Sequence, residues 1–290
     1  MKIVFFGEDS FSAIVVYSLI KNGYDVVMIA TPYYHNYLYK RLELIAQQNK
    51  IEFSREQDIH APAFIRRIKA LNPDLLIIAH FEKLIQSELI KLPKLGCLNL
   101  HPSLLPAYRG MAPQHWPIIN GDKETGITVH YIEEGIDTGN IVVQKKLPLK
   151  PDTYVATLQK DMLPIYSTIM VEAVKKIENG RGEGIPQRIE EGSLFGRFKL
   201  KHAVIGIDTK KEYAYNLIRA ISKPYMGARF GEYILWKASI PSKDDEVKLL
   251  QRFPVVGLHF DKKTTYLTLQ DGMLIIDSYE LIKKDEGKNN

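Results

Sequence analysis

The 290-residue sequence predicts an α/β protein, with a doubly wound, mainly parallel sheet followed by a smaller all-β part. Two observations carry this. Strand-length apolar runs alternate with helical patterns through the first half, as at 26–30 and 75–79, and short strand candidates separated by polar or glycine turns crowd the end. In order, 2–6 reads as a strand, 10–22 as a helix, 24–30 as a strand and 37–49 as a helix. Then 62–71 is helical, 75–79 a buried strand, 87–91 a short helix and 97–100 a strand. Strand patterns at 125–131 and 140–147 lead into one long amphipathic helix, 154–178, with a break at Pro164. Asn179-Gly180 stops it, because both residues tolerate the left-handed backbone that ends helices. Gly180, Gly182, Gly184 and Pro186 mark a boundary, and 187–210 lacks periodicity and reads as a linker. After a helix at 211–221, strands at 233–239, 255–260, 265–269 and 273–279 suggest a small open β-barrel. The expected division is therefore 1–186, a linker 187–210, 211–285, and a disordered polar tail 286–290.

An apolar fraction of 45% suffices for a buried core, and no apolar run approaches a membrane span. Met1-Lys2 leads straight into a strand pattern without a secretory leader, so the expected compartment is the cytoplasm. The single cysteine, Cys97, excludes an internal disulfide and a cysteine-based zinc site, and its apolar setting points to packing. A net charge of +5 suits an anionic small ligand without demanding nucleic acid. The lysine pairs at 145–146, 210–211, 262–263 and 283–284 read as solvated surface. His80, His115 and His130 are irregularly spaced and lack a carboxylate partner set, so no metal is expected. The first turn, Gly7-Glu8-Asp9-Ser10-Phe11-Ser12, lacks the repeated glycines of a dinucleotide fingerprint, which disfavours a nicotinamide. A nucleotide can still lie over it with phosphates near the helix start.

The densest chemistry is the run Asn99-Leu-His101-Pro102-Ser103-Leu-Leu-Pro106-Ala-Tyr108-Arg109-Gly110, with Gly135-Ile-Asp137-Thr138-Gly139 downstream. An amide can donate to a developing oxyanion, an imidazole can move a proton near neutral pH, and a carboxylate can fix that imidazole's tautomer. Asn99 and His101 fall at the end of a predicted strand, where open α/β sheets bind ligands.

This run resembles the signature of the folate-dependent formyltransferases, and the similarity extends from Met1 to about Ile282. The resemblance implies a Rossmann-like catalytic domain over 1–186, an OB-like C-terminal domain, and formyl transfer from 10-formyltetrahydrofolate, with no metal, to an amine. It implies that Asn99 and His101 hold the oxyanion and move the proton, and that Asp137 pairs with His101 or an ordered water. It places the pterin ring against Phe81, Lys83, Leu84, Ile85, Glu133, Gly135 and Ile136, largely through main-chain bonds. It places the acceptor near Ser10, Ser103, Arg109, Gly110, Met111 and Gln114.

Three acceptors compete: a nucleotide-linked amino sugar, methionyl-tRNA and glycinamide ribonucleotide. The residues after about Gln187 argue against the last. Segments such as 216–222, 235–240 and 271–274 resemble the tRNA enzymes, but the short aromatic stretch 31–40 replaces the basic insertion that would grip an acceptor stem. The segment 222–230 resembles that of the bacterial aminoarabinose formyltransferase, so a UDP- or dTDP-linked amino sugar is the favoured small-molecule partner. A catalytically silent folate- or nucleotide-binding protein is the alternative of another class. Trp116 reads as core, and Tyr33-Tyr34-His35, Tyr37 and Tyr39 as packing rather than a base-stacking face. The C-terminal β domain offers a surface for a homodimer, and no membrane partner is expected.

Overall fold

The structure, a computed structural model, describes residues 1–34 and 37–282. His35 of the aromatic stretch, the 283–284 lysine pair and the 286–290 tail lie outside the described residues. The chain runs β1 (Lys2–Gly7), α1 (Ser10–Lys21), β2 (Asp25–Pro32), α2 (Lys40–Asn49), β3 (Glu52–Glu56), α3 (Pro62–Leu71), β4 (Leu75–Ala79), α4 (Ser87–Ile90) and β5 (Cys97–His101). Next come β6 (Arg109–Gly110), α5 (Trp116–Ile119), β7 (Glu124–Tyr131), β8 (Ile141–Pro148), α6 (Val155–Tyr166) and α7 (Ile169–Glu178). The rest comprises β9 (Leu194–Phe195), α8 (Lys211–Ala220), β10 (Ala228–Phe230), β11 (Tyr233–Ser239), α9 (Lys243–Arg252), β12 (Gly257–Asp261), β13 (Thr264–Leu269) and β14 (Gly272–Leu281). The fold contains two compact units, each discontinuous in sequence: Met1–Pro113 with Thr125–Leu147 and Asp161–Phe195, and Gln114–Glu124 with Pro148–Lys160 and the chain from Gly196 onward.

The first unit is built on a seven-stranded sheet in the order β3-β2-β1-β4-β5-β7-β8. β3, β2, β1, β4 and β5 are parallel neighbours, and β7 runs antiparallel to β5. Strand order reverses between β1 and β4, whose residues Ile3–Phe6 and Leu75–Ala79 are at most 3% exposed. Burial on both faces is why these strands read as unbroken apolar runs. β3, Glu-Phe-Ser-Arg-Glu, escaped the sequence reading because a sheet edge needs only intermittent burial and accepts charge. The predicted long helix is two helices. Pro164 sits inside α6, and the break comes after Tyr166 at Ser167-Thr168, where both hydroxyls donate to the Pro164 carbonyl.

The second unit carries a five-stranded antiparallel sheet, β10-β11-β14-β13-β12, with α8 against it. Its buried Arg219 donates to the Thr153 carbonyl and to Asn216 Oδ1, each at 2.6 Å. Two elements were missed here, β10 and α9. The latter buries no side chain and so shows no apolar stripe, although Ser242 capping the Asp245 N–H at 3.2 Å is a sequence-visible start. Among the described residues no helix is long and apolar enough to cross a membrane.

Leu76 and Ile78 of β4 belong to the main core cluster with Val4, Phe6, Met28 and Phe64. Leu76→Ala is expected to destabilise the protein by about 2–5 kcal/mol in urea unfolding. A loss well under about 1 kcal/mol would show that this strand is not the packing centre.

Candidate functional site

Parallel pairing sets Ile78 of β4 beside Asn99 of β5, and Asn99 in turn opposite His130 of β7. The carboxyl end of β5 therefore delivers Asn99 and His101 to the sheet edge. Asp137, on the loop after β7, holds a left-handed backbone at φ +52° and aims its carboxylate back at them. Its Oδ2 accepts the Gly110 N–H at 2.8 Å and lies 3.5 Å from His101 Nδ1, while Oδ1 accepts Asn99 Nδ2–H at 3.3 Å and lies 3.5 Å from His130 Nε2. The three residues singled out from the sequence thus meet at one carboxylate.

Proton positions follow from the partners. His101 Nε2 is 2.8 Å from the Tyr108 carbonyl and must carry hydrogen there. A neutral ring then leaves the Nδ1 lone pair facing Asp137, and its 3.5 Å spacing is that of a contact awaiting a proton. His130 Nδ1 donates to the Tyr131 carbonyl at 2.7 Å, so its Nε2 accepts from Asn99 Nδ2 at 3.2 Å. Both Asn99 amide hydrogens are engaged, one on His130 and one on Asp137.

Burial opposes the charge on Asp137, but the neighbouring His101 and His130 and the Gly110 N–H overcome it and hold the carboxyl well below its usual range. Burial pushes His101 below its ordinary value of 6.5, with the Asp137 field opposing. At neutral pH the pair is an ionised carboxylate beside a neutral imidazole that sits between two acceptors. A second proton on Nδ1 would be held by Asp137 while Nε2–H stays on Tyr108.

The loop 106–111 is fixed from outside the motif. β6 pairs in parallel with β9: Arg109 and Met111 donate to the Ser193 and Phe195 carbonyls, each at 2.9 Å, and Tyr108 N–H donates to Ser193 Oγ at 2.8 Å. Gly110 has φ +89°, and an added Cβ would fall 2.3 Å from the Phe195 carbonyl oxygen, so only glycine fits. Gln187 Nε2 donates to the carbonyls of Asp137, at 3.0 Å, and Gly139, at 2.6 Å. Sequence reasoning missed Gln187, Ser193 and Phe195, which lie in a stretch without periodicity, and weighed His130 only as a metal ligand.

Ser103 is fully buried and donates its hydroxyl to the Ala107 carbonyl at 2.7 Å, stiffening the loop. Arg109 is half-buried, and its Nε is enclosed without a hydrogen-bond partner. Phe81 packs edge-on to Phe6 at 5.4 Å, and Ile85 and Ile132 lean on the same core. Lys83 Nζ donates to the Gln57 carbonyl, and His60 Nε2 to that of Leu84 at 2.9 Å. The Leu84 and Ile136 side chains are 74% and 45% exposed, and Glu133 and Gly135 are exposed. Gln114 lies in the second unit, where its Oε1 accepts from Gln159 at 2.8 Å.

Ser10 is exposed at the start of α1, but the N–H groups of Phe11 and Ser12 donate to Asp9 Oδ1, each at 2.9 Å. The chain's own carboxylate thus caps the first turn of α1. Asp9 Oδ2 also holds His80 Nδ1 at 3.1 Å, and His80 Nε2 meets the Tyr166 hydroxyl at 2.7 Å. Glu8 accepts the Glu82 N–H at 2.6 Å, and burial raises its carboxyl to about 7. Cys97 is buried, with its thiol pushed up to about 12 by burial. Among the described residues no three His, Cys, Asp or Glu side chains gather as a metal ion would need.

A sequence profile described as formyl transferase matches residues 1–174. This chain belongs to the formyl transferase family. Methionyl-tRNA formyltransferases of Ruminiclostridium cellulolyticum and Halalkalibacterium halodurans are 33% and 32% identical to it, over 79% and 81% of this chain and 75% of each relative. The solved structure of WlaRD, a sugar 3N-formyl transferase determined with dTDP and 5-N-formyl-THF, aligns with this formyltransferase over 98% of both chains at 21% identity and a TM-score of 0.73. The N-formyltransferase of Helicobacter canadensis, in complex with folinic acid and dTDP-3-aminofucose, aligns over 95% of this chain and 98% of its own, at 20% identity and a TM-score of 0.71.

Unfolded His101 takes up a proton near pH 6.5, whereas the buried ring of this formyltransferase resists it. Its contribution to stability is therefore full above about pH 6.5 and lost as pH falls toward the lower folded value, and buried His115 adds with the same sign. Asp137, lowered in the folded state, contributes stability above its ordinary carboxylate value that is lost only in stronger acid. Glu8, raised to about 7 by burial, gains stability as pH falls through the same window, so the effect is read as a difference: His101→Gln is expected to lose less urea midpoint than the parent chain between pH 7 and 5. An unchanged slope in the variant would refute the burial-driven shift.

Proposed function

We propose that this chain transfers a formyl group from 10-formyltetrahydrofolate to the amine of a UDP- or dTDP-linked amino sugar, by direct attack and without a covalent enzyme intermediate. The observation that carries formyl transfer is the convergence of Asn99 and His101 on the partly buried carboxylate of Asp137, with no side-chain nucleophile in the set. The folate donor supplies the formyl group. The Asp137 charge draws the acceptor's ammonium into the site, and His101 Nδ1 receives the proton that makes the amine nucleophilic, directly or through a water. The resulting imidazolium, held at both ends by Asp137 and by the Tyr108 carbonyl, gives that proton to the folate nitrogen as its bond to the formyl carbon breaks, and the proton still on the acylated nitrogen leaves through the freed ring to solvent. Asn99 exchanges its 3.3 Å contact with Asp137 for the negative oxygen that develops on the formyl carbon.

We assign Phe81, Leu84, Ile85 and Ile136 to one face of the flat folate heterocycle, with main-chain groups of 81–85 and 133–137 for its polar edge. Arg109, with an enclosed and unpaired Nε–H, is the residue we assign to an anionic or carbonyl group of the acceptor. We also read the antiparallel sheet of the second unit as the family's OB-like barrel.

The sugar acceptor is supported by the short aromatic stretch 31–40, which offers one lysine where an acceptor stem would need a basic grip, and by end-to-end alignment with sugar N-formyltransferases. The rival reading, methionyl-tRNA, is favoured by the identity of about a third to the tRNA enzymes. Incubation with 10-formyltetrahydrofolate and a panel of UDP- and dTDP-amino sugars, against charged initiator tRNA, separates them by release of tetrahydrofolate. Turnover is expected with an amino sugar; turnover with tRNA alone overturns the acceptor, and none with any amine favours a silent binding protein. Alanine at Asn99, His101 or Asp137 is expected to cut turnover at least about a hundredfold in folded protein.

A further inference from the structure

The second unit holds an aromatic group that the reaction chemistry does not use. Trp116 and Phe198 have ring centroids 5.5 Å apart, and His202 stands 5.4 Å from Phe198 and 6.2 Å from Trp116. All three are only half-buried, so the group is not closed into a core as the sequence pattern of Trp116 implied. It is braced from within the unit. His115 donates Nδ1–H to the Ala220 carbonyl at 2.7 Å and meets Tyr225 edge-on at 4.4 Å. Gln159 Nε2 ties the Tyr225 hydroxyl to Gln114 Oε1.

Cations flank these ring residues along the chain, in a pattern that paired-lysine counting overlooks. The segment Gly196-Arg197-Phe198-Lys199-Leu200-Lys201-His202 alternates cations with apolar residues, and no carboxylate occurs anywhere from 192 to 207. Arg197, Lys199 and Lys201 are exposed. Half-open rings stack on a planar heterocycle, and a short strip of three cations matches the charge of a diphosphate. A free phosphate would leave the rings idle, and a polynucleotide would call for a longer basic track.

We propose that Trp116, Phe198 and His202 form the platform for the base of a nucleoside diphosphate whose phosphates are met by Arg197, Lys199 and Lys201. The proposal rests on the sugar-nucleotide reading and names the handle by which such an acceptor is recognised, independent of its sugar.

The test titrates the full-length protein with UDP, dTDP and inorganic pyrophosphate, and separately with an acceptor-stem RNA hairpin. Binding is followed by calorimetry and by tryptophan fluorescence, Trp116 being one of two tryptophans. UDP or dTDP is expected to quench the fluorescence and to bind at least about tenfold more tightly than pyrophosphate. Phe198→Ala, and separately the Lys199→Ala/Lys201→Ala double variant, are expected to raise the nucleotide Kd at least about tenfold while 5-formyltetrahydrofolate binding and the melting temperature stay unchanged. The double variant keeps the test sharp should Phe198→Ala unfold the unit. An unchanged nucleotide Kd in folded variants, pyrophosphate binding as tight as nucleotide, or binding of the hairpin alone would overturn the platform. Amino-sugar turnover with unaltered nucleotide Kd in the variants removes only the platform, whereas turnover on tRNA alone removes the sugar reading itself.

Discussion

A carboxylate taken out of water must be surrounded by donors, and Asp137 meets that requirement by reaching into three separate stretches of chain. It takes the Gly110 N–H from the loop after β5, an amide hydrogen of Asn99 from β5, and the company of two imidazoles from β5 and β7. Each partner is thereby oriented. His101 is left with a lone pair toward the charge, His130 with an acceptor toward Asn99, and the loop 106–111 is drawn onto the sheet edge. The site is an arrangement of backbone and side chain that a buried negative charge compels, and its proton chemistry follows from that compulsion.

Much of the first unit was legible because strands buried on both faces must be apolar throughout, as at 75–79, and a helix packed along one face shows an apolar stripe, as at 62–71; both were read to the residue. Where burial is partial the signal fades, as in the charged edge strand β3 and in α9, which buries nothing. Pro164 misled in position, because its missing N–H frees only a carbonyl one turn upstream, so α6 runs on to Tyr166 and ends where the hydroxyls of Ser167 and Thr168 donate to the Pro164 carbonyl. At the site, Asn99, His101 and Asp137 stood out through their company in the motif. Gln187, Ser193 and Phe195 did not, since the groups they hold are main-chain N–H and carbonyl groups, and almost any polar or apolar residue there looks like linker.

Formyl transfer requires little machinery beyond a charge, a proton acceptor and an oxyanion donor, and the residues proposed for these roles, Asp137, His101 and Asn99, all belong to the first unit. The choice of amine is a separate problem. An acidic first turn, the aromatic sequence that follows β2 and a run of cations interleaved with aromatic residues in the second unit differ in chemistry from the proposed formyl-handling centre. Relatives acting on tRNA and on sugars can therefore share the centre and diverge around it.

The small pairing of β6 with β9 bears on what counts as a module. The region matched by the family profile ends at residue 174, yet the strut that sets the Tyr108 carbonyl, and through it the His101 tautomer, begins at Ser193. The hereditary unit recognisable by sequence and the mechanical unit that makes a working imidazole are different lengths of polypeptide. Grafting or recombination within this family must respect the longer one.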